Sequence, residues 1–221
     1  MRNSFSYYFH RSKKVAEEEG LISLIKKGFH KIRVSAYETN DAMWFGRSLD
    51  QPLPKINIPK IAVVIASESE FEKWLQQQQT VFSWVYVEQE VLATLNDPKI
   101  PFVAKVNNKI VGYLKVAIRN AYVLDYDAHI ELPRDVAFVQ DTFVLPEFRG
   151  RGIAKSVISK AMIYLKNQGY SRMFCHIPQW NIASIRTFTS LGFKPYGNIR
   201  FLRIFKWKVY TRKPERLIKE V

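Results

Sequence analysis

The sequence predicts an α+β (mixed α/β) fold, in which a central sheet is flanked by helices and preceded by an N-terminal helical extension. Three observations predict it. Apolar runs of strand length alternate along the chain with amphipathic stretches of helix length, and turn residues separate them. In addition, 47% of the 221 residues are hydrophobic, which is enough to build the core of one ordinary domain. This mixture of elements indicates helices packed on a sheet.

Composition limits the functions that the chain can have. Its 34 Lys and Arg exceed its 20 Asp and Glu by 14 charges, which suits an anionic partner such as coenzyme A, nucleic acid or an acidic membrane surface. The single cysteine, Cys175, excludes an internal disulfide and favours a reducing, cytoplasmic location. The four histidines show no ligand spacing, so no metal is expected. No apolar stretch reaches the roughly 20 residues of a transmembrane helix.

Residues 1–59 are predicted to form an N-terminal extension. Within residues 14–33, apolar side chains recur at helical spacing and basic ones lie largely elsewhere, which indicates a basic amphipathic helix. The apolar stripe consists of Leu21, Leu24, Ile25, Phe29 and Ile32. Such a helix can pack on its own domain, on a second copy in a homodimer, or on an anionic membrane surface, and we favour protein over membrane. Three prolines between Gln51 and Pro59 exclude a helix there and predict a linker.

Residues 60–212 are predicted to form the main domain, and residues 213–221 a basic tail. The first half of the domain is expected to contain a strand, two helices and a hairpin, at Ile61–Ala66, Glu68–Phe82, Trp84–Leu95 and Phe102–Ile118. The hairpin turns at Asn107 and Asn108, because asparagine tolerates positive φ. The second half follows the order strand, helix, strand, helix and hairpin, at Val136–Leu145, Gly152–Gln168, Arg172–Ile177, Trp180–Ser190 and Phe193–Tyr210. Gly169 is expected to cap the first of these helices, and Gly197-Asn198 to turn the last hairpin.

The segment from Thr142 to Ser156 carries the strongest functional signal. A strand ends near Pro146 and a helix begins near Gly152, so the N–H groups of the first helical turn lack partners within the helix. With the positive end of the helix dipole, they form a cradle for a diphosphate. The residues expected to bind there are Arg149, Gly150, Arg151, Gly152, Ile153, Ala154 and Lys155. An ordinary strand-to-helix turn that starts with glycine is the alternative.

A second motif follows the first along the chain. After a predicted strand, Asn181 opens a helical segment that closes with Gly192-Phe193. In this order, the two motifs resemble the GNAT superfamily of N-acetyltransferases, whose phosphate loop has the pattern Gln/Arg-x-x-Gly-x-Gly/Ala. The pattern is matched here by Arg149, Gly152 and Ala154. The resemblance covers about residues 61–210, and it implies a mixed, mostly antiparallel sheet that is splayed between its fourth and fifth strands.

The resemblance further implies that acetyl-coenzyme A binds in this splay as a co-substrate. Main-chain groups of Thr142, Phe143 and Val144 would bond to the pantetheine arm and polarise the thioester carbonyl, since a fixed N–H donor stabilises a developing oxyanion. Asn181 would bond to the arm from the other side. Asparagine is also a common N-cap residue, and the two roles can coexist.

A base is expected in the splay, because an amine must lose its proton before it attacks. In members of the resembled family that acetylate ribosomal proteins, a carboxylate base lies five residues before the asparagine. In this chain that position is His176, and an imidazole titrates in the range that suits such a base. A structural histidine on a strand is the alternative.

Other groups compete with His176 for this role. Glu131, Asp127 and His129 come just before the fourth strand and would act through a water molecule. Gln140 occupies the strand face that carries the carboxylate of histone-acetylating relatives, but an amide cannot be a base. Asp141 points to the opposite face unless a bulge turns it.

The chain departs from the resembled family at the general acid. Seven residues after the asparagine the family often has a tyrosine that protonates the departing thiolate, and this chain has Phe188. Coenzyme A is a thiol with a pKa of about 8.5, so it can leave as a thiolate. Tyr196 and Tyr126 are alternative donors, and Cys175 is expected to fill the core.

These features predict an acetyltransferase that moves an acetyl group from acetyl-coenzyme A to a primary amine, on a small molecule or a protein, by direct attack. The acceptor and the length of the acyl group stay open. The alternative is a module that binds acyl-coenzyme A without turnover, which the missing tyrosine motivates. Basic and aromatic residues interleave over residues 201–208 as in nucleic-acid binders. The same alternation describes a half-buried strand, so nucleic acid is not favoured.

Overall fold

The computed structural model describes residues 37–78, 99–123, 128–204, 207–211 and 218. Within these ranges, the strands are β1 Tyr37–Ser48, β2 Ala62–Ile65, β3 Lys99–Val106, β4 Lys109–Ile118, β5 Asn120–Val123, β6 Ala128–Glu131, β7 Val136–Val144, β8 Arg172–Pro178, β9 Lys194–Ile204 and β10 Trp207–Tyr210. The helices are α1 Glu68–Gln77, α2 Ile153–Asn167 and α3 Ile182–Ser190, with a 3₁₀-helix at Pro146–Phe148.

The described residues divide into two compact units. Residues 41–200 and residue 218 form the larger one, and residues 37–40 with 201–211 form the smaller one. In the larger unit the strand order is β9-β1-β8-β7-β4-β3-β2, with β5 and β6 as a separate hairpin. The strands β7 and β8 pair in parallel, whereas β1–β8, β2–β3, β3–β4 and β4–β7 pair antiparallel. This mixed, mostly antiparallel sheet with flanking helices confirms the predicted fold class. In the smaller unit, the end of β9 pairs with β10.

Helices α2 and α3 bury one face of the sheet. Ile158 and Leu165 of α2 pack with Val139, Cys175 and Phe188 in one cluster of buried side chains. The buried thiol of Cys175 therefore belongs to the core, as expected from the sequence. Apolar burial of this extent is the main force that holds α2 on the sheet.

Helix α1 lies on a second apolar cluster. Its Phe71 and Trp74 make edge-on contacts with the ring of Tyr113 on β4, at centroid distances of 5.0 and 5.8 Å. Ser67 caps the helix by accepting a hydrogen bond from the Glu70 N–H, which satisfies one of its unpaired donors. The aromatic cluster fixes Tyr113, whose hydroxyl reaches the functional site described below.

Strand β1 is the main element that the sequence did not predict. Ala42–Ser48 pair with β8 from Pro178 to Arg172, although the predicted extension includes them. The side chains of Trp44 and Phe45 are both buried, so this strand has two apolar faces and no alternation to detect. Strand β1 therefore belongs to the same sheet as strands after residue 59, although the prediction placed it in the N-terminal extension.

The proline-rich segment 51–59 is not helical, as predicted, and it lies along α2. The Ser156 hydroxyl donates to the Ile56 carbonyl at 3.0 Å, and the Ser159 hydroxyl donates to the Pro54 carbonyl. The Ile56 N–H donates to the Ser159 hydroxyl oxygen at 3.3 Å. Two serines one turn apart on α2 thus hold an extended segment that pairs with no strand among the described residues.

Arg47 joins this segment to α3. Its guanidinium donates to the Leu191 carbonyl just after α3 and to the Pro52 carbonyl at 2.7 Å. Burial lowers the pKa of Arg47, because the charged form loses hydration. Gly192 has a φ of 83°, and a Cβ there would overlap a guanidinium nitrogen of Arg47. A side chain at residue 192 would therefore displace the guanidinium.

Two predicted turns have different outcomes. Asn107 and Asn108 have φ values of 47° and 62° and join β3 to β4, which confirms that hairpin. The prediction of a turn at Gly197-Asn198 is wrong, because strand β9 continues through both residues and neither has a positive φ. Pairing of β9 with its neighbouring strands outweighs the preference of a Gly-Asn pair for a turn.

Several predictions concern residues that the structure does not describe. The amphipathic helix at 14–33, the helix at Trp84–Leu95 and the basic tail apart from residue 218 lie outside the described residues. The described part of the helix predicted at Glu68–Phe82 is α1, which ends at Gln77. None of the described helices is long and apolar enough to cross a membrane.

We expect Gly192→Ala to lower the free energy of unfolding by about 3 kcal/mol, because it adds a clash with Arg47 to an unfavourable positive φ. Gly169→Ala is the matched control, since Gly169 has a φ of 87° with no atom within 4 Å of a Cβ. It should cost about 1 kcal/mol. Urea denaturation measures both, and the difference should vanish in an Arg47→Ala background. Equal losses for the two glycines would contradict the Arg47 contact.

Candidate active site

The site begins where two neighbouring strands separate. The parallel ladder between β7 and β8 runs from the Val136–Arg172 pair to the Val139–Cys175 pair and stops there. On the other side of β7, Val139 pairs with Val116 and Asp141 with Lys115, so Gln140 is an extra residue in a bulge. A bulge bends its strand. Beyond this point β7 and β8 no longer pair with each other, and this separation is the predicted splay.

Main-chain groups of β7 face this gap at alternate residues. The Leu145 N–H donates to the Val111 carbonyl at 2.9 Å, so Leu145 and Val111 are a hydrogen-bonded pair. In an antiparallel ladder such pairs alternate with pairs whose N–H and C=O groups point away from each other. Thr142 and Val144 therefore direct their main-chain groups toward β8, whereas those of Phe143 point to β4. The role expected for the main chain of Phe143 stays a prediction.

A cavity of about 650 Å³ lies at the gap. Ten of the eleven residues predicted to bind the cofactor line it, namely Thr142, Phe143, Val144, Arg149, Gly150, Gly152, Ile153, Ala154, Lys155 and Asn181. The other wall residues are Phe148, Ile158, Trp180, Ala183, Ser184, Thr187 and Phe188. Arg151 is not part of the wall; it donates to the Glu147 carbonyl at 3.2 Å and lies over the Phe148 ring.

The loop between β7 and α2 has the geometry of an anion cradle. Gly150 and Gly152 have φ values of 75° and 77°, a region that glycine enters without strain. Helix α2 begins at Ile153, so the N–H groups of its first turn point out of the helix end. The Nε of Arg149 donates to the Val144 carbonyl at 3.0 Å, and this bond ties the end of β7 to the loop.

Three residues on the α3 side of the cavity differ in exposure and in hydrogen bonding. Asn181 caps α3 by accepting a hydrogen bond from the Ser184 N–H at 3.1 Å, so its amide nitrogen remains as a donor for a ligand. Phe188 is 2% exposed, packs edge-on against Phe193 at 5.0 Å, and brings no hydroxyl to the wall. Trp180, by contrast, is 78% exposed at the cavity.

The two predicted catalytic residues do not line this cavity. His176 is half-buried on β8, and its ring stacks on Phe138 at 5.9 Å. Glu131 is exposed on β6, opposite Asn120. Of their rivals, His129 packs on the Tyr122 ring at 4.9 Å, and Asp127 lies outside the described residues. The catalytic roles of His176 and Glu131 stay predictions.

The bulge at Gln140 gives Asp141 a different position from the one expected for a regular strand. The Tyr113 hydroxyl donates a hydrogen bond to the Asp141 carboxylate, so Asp141 lies on the face of the sheet that carries α1. Burial raises the pKa of the Asp141 carboxyl, against the lowering effects of Lys115, the Tyr113 bond and His176. His176 is therefore close enough to Asp141 for their charges to interact. A regular alternation of strand residues does not reveal this pair.

Within the described ranges, no three His, Cys, Asp or Glu side chains come together to hold a metal ion. Among the described residues, the polar groups near the gap include main-chain N–H groups, basic side chains, hydroxyls, the Asn181 amide and the Asp141 carboxyl. Preorganised donors of this kind suit an anionic or carbonyl-containing ligand.

Comparison with known proteins places the chain among the acetyltransferases. The model of the acetyltransferase (GNAT) family matches residues 63–193. An aminoglycoside N(6′)-acetyltransferase type 1 of Salmonella typhimurium is 30% identical over 102 residues, which cover 46% of this chain and 67% of that protein. An uncharacterised N-acetyltransferase of Methanocaldococcus jannaschii is 36% identical over 106 residues. They cover 48% of this chain and 44% of the archaeal protein, so the chain spans less than half of that relative's length.

Solved structures share the fold at low sequence identity. A GCN5-related N-acetyltransferase from Sphaerobacter thermophilus superposes with a TM-score of 0.52 at 12% identity, covering 85% of this chain and 57% of that one. A conserved protein of unknown function from Staphylococcus epidermidis gives a TM-score of 0.55 at 14% identity, over 80% of this chain and 66% of that one. These likenesses support the fold only.

The fold and the family match together define the class of this protein as an N-acetyltransferase. The chain belongs to the GNAT acetyltransferase family, whose model covers more than half of it. Members of this family use acetyl-coenzyme A. Strand β1 lies outside the range of residues that the family model matches.

We expect Asp141→Asn to raise the urea midpoint of unfolding at neutral pH. Because the pKa of Asp141 is raised by burial, the folded state disfavours its ionised form, and an amide removes that cost while still accepting from Tyr113. Below the ordinary pKa of about 3.9 the carboxyl is protonated in both states. The gain should therefore be absent at low pH and should appear as pH rises through the raised pKa. A gain that is largest at low pH would contradict this assignment.

Proposed function

We propose that the protein transfers an acetyl group from acetyl-coenzyme A to a primary amine by direct attack. The observation that carries the proposal is the meeting of two features in one cavity of about 650 Å³. One is the pair of β7 residues whose main-chain groups face the gap, and the other is the glycine-containing cradle at the start of α2. A long, flexible donor with an anionic end and a thioester end fits both.

The cradle would hold the diphosphate of the cofactor. A Cβ added at Gly150 would meet no atom within 4 Å, so a phosphate can approach the main chain there. The helix dipole and the side chains of Arg149 and Lys155 favour a negative charge at this place. No carboxylate side chain is among the described residues that line the cavity, which also suits an anionic group.

The end of β7 would hold the thioester. The Val144 carbonyl already accepts from Arg149, which leaves the Val144 N–H as the group that donates into the gap. A fixed N–H donor at this position stabilises the oxyanion that forms when the amine attacks the carbonyl carbon. The amide nitrogen of Asn181 would bond to the pantetheine arm from α3.

Asp141 supplies the base in this proposal. A lysine-like amine with a pKa of about 10.4 is less than about 0.1% neutral at pH 7, so its proton must be removed. A carboxyl with a raised pKa accepts a proton near neutral pH more readily than an ordinary one. The proton would pass to Asp141 through a water molecule, with His176 as the second candidate on the same face of the sheet.

The acceptor is proposed as a primary amine on a small molecule or a protein. The relative from Salmonella is named for an acetyl transfer to an aminoglycoside amine, which supports this class of acceptor. An acceptor panel should therefore begin with amino sugars and continue with polyamines and peptides bearing a free N-terminus or lysine.

A module that binds acyl-coenzyme A without turnover is the second candidate. Phe188 favours it, because the side chain at this position brings no proton donor to the cavity. The two candidates differ in stoichiometry: an enzyme releases many thiols per protein molecule, and a binding module releases none.

We expect the protein to release coenzyme A thiol over many turnovers when acetyl-coenzyme A and the acceptor panel are present. Gly152→Glu should weaken coenzyme A binding by at least about tenfold, since a carboxylate would occupy the diphosphate cradle. Gly169→Glu is the matched control, because Gly169 also has a positive φ but lies at the other end of α2. Calorimetry on both folded variants measures the affinities. Unchanged affinity in Gly152→Glu would place the cofactor elsewhere.

The same assay separates the two candidate bases. Asp141→Asn should lower kcat by about 10²- to 10⁴-fold at pH 7 while coenzyme A affinity is kept, and part of the loss should return at high pH as the amine deprotonates itself. His176→Gln should have the smaller effect. If His176→Gln shows the large, pH-dependent loss and Asp141→Asn does not, the base is His176.

A further inference from the structure

The Ser184 hydroxyl lies in the cavity wall and makes no hydrogen bond within the described part of the chain. Ser184 and Phe188 lie one turn apart on α3, so they share a helix face, and both line the cavity. Ser184 is half-buried there. Its position next to Phe188 matters because the wall has no hydroxyl at residue 188.

The other hydroxyls in the wall are already committed. Among the described wall residues, hydroxyl groups belong to Thr142, Ser184 and Thr187. The Thr142 hydroxyl donates to the Tyr113 carbonyl at 3.1 Å, and the Thr187 hydroxyl donates to the Ala183 carbonyl at 2.9 Å. Because a hydroxyl has one proton to donate, neither is available to a ligand without breaking an existing bond.

Ser184 is held in place by its main chain and not by its hydroxyl. Its N–H donates to the Asn181 side chain at 3.1 Å, which fixes the first turn of α3. Asn181 in turn is a wall residue. The Ser184 hydroxyl donates to no group in the part of the chain that the structure describes, so its proton can be given to a ligand at no cost to the fold.

We propose that Ser184 donates a hydrogen bond to the sulfur of coenzyme A as the thioester breaks. The inference rests on the proposed function and adds a catalytic residue to it. The amine forms its bond to the carbonyl carbon, the C–S bond breaks, and the electron pair leaves on sulfur. The amine proton passes to the water at Asp141. The serine keeps its own proton, because a thiol with a pKa near about 8.5 is far more acidic than an alcohol, and the thiolate is protonated later by solvent.

A hydrogen bond to a charged acceptor is stronger than one to a neutral acceptor. Ser184 therefore stabilises the thiolate more than the thioester. This difference between the two states is what accelerates a reaction. It also lowers the pKa of the coenzyme A thiol when coenzyme A is bound, an effect that can be measured without any acceptor.

The first test titrates coenzyme A in its complex with the protein, by the ultraviolet absorbance of the thiolate from about pH 6 to about pH 10. We expect the thiol pKa to be about one unit higher in Ser184→Ala than in the wild type. Ser190→Ala is the matched control, since Ser190 lies on the same helix, outside the wall, and donates to the Thr187 carbonyl. It should match the wild type. Equal thiol pKa values in Ser184→Ala and wild type overturn the inference while the proposed function stands.

The second test is kinetic and distinguishes a donor from a structural residue. Ser184→Ala should lower kcat about 10- to 100-fold with little change in the KM for acetyl-coenzyme A. Adding Phe188→Tyr to Ser184→Ala places a hydroxyl one turn along the same helix face and should restore part of kcat. A loss without rescue, or a loss seen in KM alone, contradicts the donor role. If the wild type does not bind coenzyme A, the proposed function fails and this inference fails with it.

Discussion

The site depends on one extra residue in a strand. The bulge at Gln140 lies where the ladder between β7 and β8 ends, so the two strands separate while β7 stays paired with β4. It also shifts the alternation of side chains beyond it by one residue. As a result Asp141 meets Tyr113 on one face of the sheet, and the main-chain groups of Thr142 and Val144 face the gap. The cofactor slot and the proposed base thus have a common structural origin.

The rest of the fold holds this gap open. Strand β1 pairs with β8 on the side away from the gap, and Arg47 at its end binds the Leu191 carbonyl after α3. The segment 51–59 binds α2 through Ser156 and Ser159. Strand β8 and the helices α2 and α3 are therefore supported by residues outside the matched family range. Asp141, in contrast, lowers the stability of the fold at neutral pH, because burial disfavours its ionised carboxylate. The same burial gives the site a group that can take up a proton.

The parts of the site that were predictable from sequence are local. Gly150, Gly152 and the start of α2 form the cradle through their own backbone, and Asn181 caps α3, so contiguous residues are enough to place them. Features that depend on strand pairing were not predictable. A bulge such as that at Gln140 has no sequence signature, and β1 lacks alternation because both faces are buried. The Gly197-Asn198 turn failed for the same reason, since pairing of β9 decides its course. The sequence shows that Phe188 departs from the family pattern. The hydrogen bonds of the cavity wall are needed to identify Ser184 as a donor.

Residue-resolved hydrogen exchange of the β7 amides tests most directly whether the main chain of β7 beyond the bulge binds the cofactor. The account predicts that the Phe143 amide exchanges slowly with and without acetyl-coenzyme A, because it is bonded to β4. The Val144 amide should exchange fast in the free protein and should slow by at least about tenfold when the cofactor is bound. A Val144 amide that is already protected in the free protein, or one that saturating acetyl-coenzyme A leaves unchanged, would contradict it.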